Sequence, residues 1–172
     1  MKGLIHIYCG DGKGKTTAAA GLAARAAGDG LRVLFMQFMK NGRTGELASF
    51  EALDNITVWQ GEKTAKFSWN MDEREKEEAK RVQQENFDEA AARAGEYDML
   101  VLDEAVGACC GGFLDEKRLC AFLDEKPEGL EVVLTGRNPS EELLSRADYV
   151  SEIKKVRHPY DKGIQARKGI ER

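Results

Sequence analysis

Short apolar runs alternate with amphipathic stretches along this chain, and the residues at each boundary say what the run becomes. Leu4 to Cys9 is a β-rich run that stops at a glycine cluster. Thr16 to Ala27 is rich in alanine, the strongest helix former, and Gly28 and Gly30 close it. Leu31 to Phe38 (LRVLFMQF) reads as a second strand, with scarcely a polar interruption, as in a sheet covered on both faces. A loop from Lys40 to Glu46 follows, with Gly42 and Gly45. Thr57 to Asn70 is irregular and concentrates Trp59, Phe67 and Trp69.

Asp72 to Ala94 is strongly helical. Asp72 with Glu75 forms a capping-box pattern, and Ala79, Val82, Asn86/Phe87, Ala90 and Ala94 mark one face at helical spacing. The charged opposite face is a solvated surface. Asp98 to Asp103 (DMLVLD) predicts a strand ending in acid, a helix is expected near 115–124, and Leu130 to Thr135 predicts another strand. Asn138-Pro139-Ser140-Glu141 reads as a helix start with Asn138 as cap and Pro139 in first position. Tyr149 to Ile153 is the last expected strand. Strands separated by helices imply an α/β domain with a mostly parallel sheet flanked by helices. The 172 residues fit one such domain, spanning 1–172.

Composition narrows the function. Apolar residues make up 42% and charged residues 33%, with 30 acidic against 26 basic side chains and a net charge of −4. That balance argues against coating nucleic acid. No apolar stretch approaches the roughly 18–20 residues of a membrane span, and no signal-peptide pattern opens the chain, so the expected compartment is the cytoplasm. Cys9, Cys109, Cys110 and Cys120 form no C-x-x-C pair, and His6 and His158 are the histidines beside them. Small buried apolar residues are the simpler reading of the cysteines than structural zinc or a disulfide framework.

Gly10-Asp11-Gly12-Lys13-Gly14-Lys15-Thr16-Thr17 joins the first strand to the first helix. Glycines let backbone N–H groups turn inward around anionic oxygens, the helix start adds its dipole, Lys15 adds a charge, and Thr16 offers a hydroxyl to Mg²⁺. The strict pattern G-x-x-x-x-G-K-[ST] has Cys9 in its first position here, so with Gly10 as hinge the loop is one residue short. Asp103 and Glu104 end an apolar strand, where P-loop proteins hold or orient the metal. Both features point to a nucleotide site.

Several segments in order then resemble one family over nearly the whole chain. They are GDGKGKTTAA, QFMKNG, Phe67-Ser68-Trp69, VLDE, PEGLEVVLTGR and HPYDKGIQARKGIE. The chain resembles the ATP:corrinoid adenosyltransferases of the cob(I)yrinic acid a,c-diamide type, in which the short loop is itself a family trait. The resemblance implies a RecA-like P-loop domain in which Co(I) attacks the 5′-carbon of ATP and tripolyphosphate leaves, with ATP bound in the polarity opposite to ordinary P-loop enzymes. It assigns the leaving group to Lys15 and the loop from Gly10 to Thr17, Mg²⁺ to Thr16 and Glu104 with Asp103, and the nucleotide also to Arg25 and Arg137. Phe67 and Trp69 match the aromatic pair that closes the lower face of the corrin ring, although large buried aromatics are also ordinary core residues. A flavodoxin-like or flavin reductant for Co(II) and a homodimer are implied as well.

The run Lys154 to Arg172 carries seven basic and two acidic residues. Alone it reads as a solvated tail, with only Tyr160 aromatic and so no stacking platform for nucleic acid. The resemblance implies instead that it folds over the substrate site. Ala105 to Gly112 (AVGACCGG) departs from the bulkier residues usual after VLDE and is a candidate lining of the corrin side. An N-terminal helix that covers a partner's site in some relatives is expected to be absent. Two other functions remain open on sequence alone: a P-loop nucleoside or small-molecule kinase, and a non-catalytic nucleotide or corrinoid carrier.

Overall fold

The computed structural model describes residues 2–40, 44–59 and 71–171. Within them, β1 (Ile5–Cys9), β2 (Val33–Gln37), β3 (Ile56–Val58), β4 (Met99–Asp103), β5 (Glu131–Thr135) and β6 (Tyr149–Glu152) form one sheet in the order β3-β2-β4-β5-β1-β6. Each neighbouring pair is parallel, so the strands' carboxyl ends share one edge. The helices are α1 (Lys15–Gly28), α2 (Gly45–Phe50), α3 (Glu73–Ala92), α4 (Ala105–Cys110), α5 (Glu116–Glu125) and α6 (Glu141–Leu144). The α/β architecture with a parallel sheet is therefore the one the alternation of runs predicts.

Alternate residues of the central strands feed two core layers. On one face Val33, Phe35, Val101 and Val133 meet Ala19, Ala23, Ala26 and Ala27 of α1 and Phe50 of α2. The methyl-sized side chains of α1 let its axis lie close to the sheet, directly behind the glycine-rich loop. On the other face Leu34, Met36, Leu100, Leu102 and Leu134 meet Phe87 and Ala90 of α3, Leu119 and Leu123 of α5, and Leu143 of α6. The capping box of α3 is formed, with Asp72 accepting from the Glu75 N–H at 2.8 Å and Glu75 accepting from the Asp72 N–H at 3.0 Å. The expected apolar stripe of α3 is buried from Ala79 to Ala90.

Three local features differ from the expectations. β3 and α2 occupy stretches too short to show a period, and β3 exists because Ile56 finds Val33 across the sheet. Ser140, not Asn138, caps α6: its hydroxyl accepts from the Leu143 N–H at 3.2 Å. Asn138 is left-handed at φ 53°, turning the chain before Pro139, which lies outside the helix. The stretch Ala105 to Gly112, the candidate lining of the corrin side, begins as a helix whose Ala105, Val106 and Ala108 are buried in the core.

Small residues in α4 have a packing reason. Gly136 follows β5 at φ +147°, and a Cβ there would lie 2.6 Å from the Gly107 nitrogen and 2.7 Å from the Val106 Cβ. Gly136→Ala should accordingly lower unfolding stability by about 2 kcal/mol or more, from backbone strain and overpacking together. Urea unfolding measures this, and a midpoint equal to the parent's would refute the close approach.

Candidate active site

The loop Gly10 to Gly14 follows β1 and leans on the chain leaving β6. The Gly12 N–H donates to the Ile153 carbonyl at 2.8 Å, and the Ile153 N–H donates to the Cys9 carbonyl at 2.8 Å. A Cβ on Gly12 would sit 2.7 Å from that same Ile153 oxygen, and Gly10 is pressed against Ile153 as well. Asp11 accepts from the Lys155 N–H at 2.9 Å, which holds its carboxyl below the usual range. The loop is thus stitched to the first residues of the C-terminal tail. Lys15 opens α1 almost buried, at 8% exposure, and its ammonium donates to the carbonyls of Gly10 at 2.8 Å and Gly12 at 2.9 Å. Burial pushes its pKa down, and Glu104 opposes that shift.

Polar side chains end three neighbouring strands: Gln37 on β2, Asp103 on β4 and Thr135 on β5. Asp103 has no exposed surface. It accepts from the Thr135 hydroxyl at 2.7 Å and from the Gln37 amide at 3.1 Å, and the nearby Thr16 hydroxyl also favours its charged form. Burial nonetheless raises its pKa. The Thr135 hydroxyl in turn accepts from the Glu104 N–H at 2.8 Å. Gln37 continues the chain outward, donating to Glu46 at 2.9 Å and accepting from Thr44 at 3.1 Å.

Just beyond those polar ends, the backbone turns sharply. Met39, Glu104 and Asn138 are the non-glycine residues with positive φ among the described residues, at 56°, 62° and 53°. Each such turn costs about 1–3 kcal/mol unless side-chain bonds offset it, and this kind of strain clusters at functional sites. Glu104 is forced into the cleft by its own turn. Burial and then the adjacent Asp103 charge push its carboxyl above the ordinary glutamate value of 4.5.

These elements enclose a cavity of about 320 Å³ over the start of α1. Asp11 to Thr17, Lys40, Glu104 and Arg137 line one side. The C-terminal tail lines the other, through His158 to Tyr160, Ile164 to Ala166, Ile170 and Glu171. Of the residues singled out in the sequence, Asp11, Gly12, Lys13, Gly14, Lys15, Thr16, Thr17, Glu104 and Arg137 meet here. Gly10 sits beneath, against Ile153, and Asp103 lies under the floor, bonded to Thr135 and Gln37. Arg25 is not brought to this pocket: it is exposed in the last turn of α1, about 15 Å along the axis from Lys15 at the usual helical rise. Phe67 and Trp69 lie outside the described residues.

Sequence reasoning had no role for Lys40, Gln37 or Thr135. A signal was present, since each of three apolar strands ends in, or is soon followed by, one polar residue; it acquires meaning only when the sheet order sets those ends side by side. The cysteines contribute little to the site. Burial lifts the Cys109 thiol to about 12, so it stays protonated, and Cys110 donates to the Asn138 carbonyl at 3.3 Å.

The profile of the family described as ATP:corrinoid adenosyltransferase BtuR/CobO/CobP matches residues 1–172. The chain belongs to this family. A corrinoid adenosyltransferase of Pseudomonas aeruginosa is 32% identical over 175 residues, covering 99% of this chain and 84% of that one. Its counterpart in Escherichia coli K12 is 32% identical over 170 residues, covering 99% and 86%. A solved DNA replication initiation factor overlays more loosely, with a TM-score of 0.46 at 15% identity over 89% of this chain and 40% of that one, and carries no functional argument.

In this adenosyltransferase-family chain the raised carboxyl of Glu104 has a consequence for stability. A carboxyl whose folded pKa exceeds its unfolded one weakens the fold as pH rises past about 4.5 and ionisation begins. Glu104→Gln, without nucleotide at pH 7.5, should therefore unfold at higher urea than the parent, and the gap should close as pH falls below about 4.5. A variant less stable than the parent at pH 7.5 would contradict the assignment.

Proposed function

We propose that this chain transfers the 5′-deoxyadenosyl group of ATP to the Co(I) of a corrinoid of the cob(I)yrinic acid a,c-diamide type, acting as one domain over 1–172. The lone pair of Co(I) forms the cobalt–carbon bond, the bond from C5′ to its oxygen breaks, and tripolyphosphate departs with the electron pair. The observation that carries this reading is the pocket itself: a cationic P-loop wall with Glu104 and Arg137, closed by the tail, in a chain matched end to end by one family. Charge grows on the leaving group as the bond breaks. On this reading Lys15 exchanges its bonds to the Gly10 and Gly12 carbonyls for phosphate oxygens, and Arg137 and the N–H groups at the start of α1 meet the same charge.

Mg²⁺ fits the donor set. Among the described residues no cluster of three or more His, Cys, Asp or Glu side chains forms a cation cage. Thr16 and Glu104 are hard oxygen donors at the pocket, and Mg²⁺ ordinarily completes its shell from phosphates and water. Asp103 acts through Thr16, whose hydroxyl it orients. Bound there, Mg²⁺ would neutralise phosphate charge.

A cavity of about 320 Å³ is at the small end for ligand pockets, so a macrocycle docks at its mouth rather than inside with the nucleotide. Tyr160, Ile164 and Ile170 give that mouth exposed apolar surface. On the same reading Phe67 and Trp69 close the lower face of the corrin, leaving Co(II) without an axial donor and easier to reduce. Homodimerisation, a cytoplasmic site of action and a flavodoxin-like or flavin reductant belong to the same proposal.

The test is anaerobic: purified protein, Mg²⁺, ATP and chemically reduced corrinoid, with absorbance and phosphate products followed. A light-sensitive adenosylcorrinoid with tripolyphosphate is the expected outcome, whereas ADP would indicate a kinase and ATP binding without alkylation a carrier. Lys15→Ala should abolish turnover with the fold retained, and near-normal rates would remove its role. Phe67→Ala or Trp69→Ala should impair the Co(II)-dependent reaction more than the reaction with pre-reduced Co(I); equal losses would count against the axial-ligand account.

A further inference from the structure

The three left-handed non-glycine turns sit beyond β2, β4 and β5, which are consecutive in the sheet. Each delivers one charged side chain to the same cavity: Glu104 is itself the turn after β4, and Arg137 immediately precedes the turn at Asn138. The third turn, at Met39, delivers Lys40. It is a costlier position for the backbone than Asn138, because asparagine tolerates the left-handed region and methionine does not.

The turn is also fixed from both sides. The Phe38 N–H donates to the Asp103 carbonyl at 2.9 Å, the Phe38 ring is fully buried, and the Met39 N–H donates to Gln83 of α3 at 3.4 Å. Lys40 thus leaves a braced backbone. It lines the cavity together with Glu104, from the end of β2, which β4 and β5 separate from the strand that carries the Lys15 loop, and its charge lowers the pKa of both Asp103 and Glu104. No ion pair holds it among the described residues. A half-buried lysine that lines the cavity with Glu104 and forms no ion pair with it is placed to receive an anion that arrives with its own cation.

We propose that Lys40 is a binding residue for the tripolyphosphate moiety, gripping it from the β2 side while Lys15 and the loop grip it from the α1 side. This rests on the pocket being the ATP site. Two cations on opposite flanks suit a reaction in which the whole triphosphate chain is the leaving group, because negative charge must be met along its length rather than at one terminal phosphorus.

Calorimetric titration of the full chain with inorganic tripolyphosphate, Mg·ATP and adenosine tests it, using Lys40→Met, which keeps length and removes charge, together with Lys40→Arg. Lys117→Met, on an exposed position of α5, controls for net charge. Lys40→Met should weaken tripolyphosphate by about tenfold or more, leave adenosine unchanged, and lower kcat with pre-reduced corrinoid; Lys40→Arg should recover most of the tripolyphosphate affinity. The proposal fails if Lys40→Met binds tripolyphosphate within about twofold of the parent, if adenosine is weakened as much as tripolyphosphate, or if Lys117→Met has the same effect. A parent chain that binds neither Mg·ATP nor tripolyphosphate overturns the function proposed for the pocket, and Lys40's role with it. A parent that binds both, with Lys40→Met unaffected, overturns only the role of Lys40.

Discussion

A carboxylate with no exposed surface, Asp103, holds the working edge of this sheet together. Burying a charge costs several kcal/mol unless hydrogen bonds replace the lost water, and here the replacements come from two flanking strands, Thr135 on β5 and Gln37 on β2, with the Thr16 hydroxyl of α1 close by. Each partner is thereby fixed by the same acceptor. The requirement also reaches the next residue, because the hydroxyl that donates to Asp103 accepts the N–H of Glu104 and supports its left-handed turn. Among the described residues no buried side-chain nitrogen or oxygen lacks a partner, which is the condition for such a network to rigidify rather than weaken a core.

From that anchor the pocket assembles by strand order. β5 lies between the loop strand β1 and the acid strand β4, so Thr135 stands where it can reach Asp103 beside it. On the other side of β1, the chain leaving β6 supplies the Ile153 carbonyl that backs the glycine-rich loop. Gly10 and Gly12 lack side chains because that backbone lies within contact distance. A loop one residue shorter than the usual pattern is consistent with this stitching, since its path is set by the strand it leans on. The tail begins where the backstop ends, which brings its apolar residues to the mouth of the cavity.

Stability and function pull in opposite directions at Glu104 and Lys15. Both are desolvated, and burial disfavours the charged form of each. Their opposite charges ease the conflict without removing it. On the proposed function, a triphosphate with its cation would supply the missing countercharges, so that the residues that weaken the fold alone would strengthen the complex.

Much of this was legible in the one-dimensional pattern, for reasons that are local. Ala-rich α1, the capping box of α3 and the apolar runs of β2, β4 and β5 follow from propensity and period, which neighbouring residues determine. The glycine-lysine-threonine loop between strand and helix, and the acids ending DMLVLD, identified nucleotide chemistry because those residue types have few other uses in that context. What the sequence could not decide depends on separation in space. Nothing along the chain sets Gln37, Asp103 and Thr135 in one row, presses Gly136 onto Gly107, carries Arg25 away from the pocket, or brings Lys40 to the cavity that Glu104 lines. Those facts arise from the sheet order β3-β2-β4-β5-β1-β6 and from the turns at its carboxyl edge, where residues distant in sequence compete for, and share, the same few hydrogen bonds.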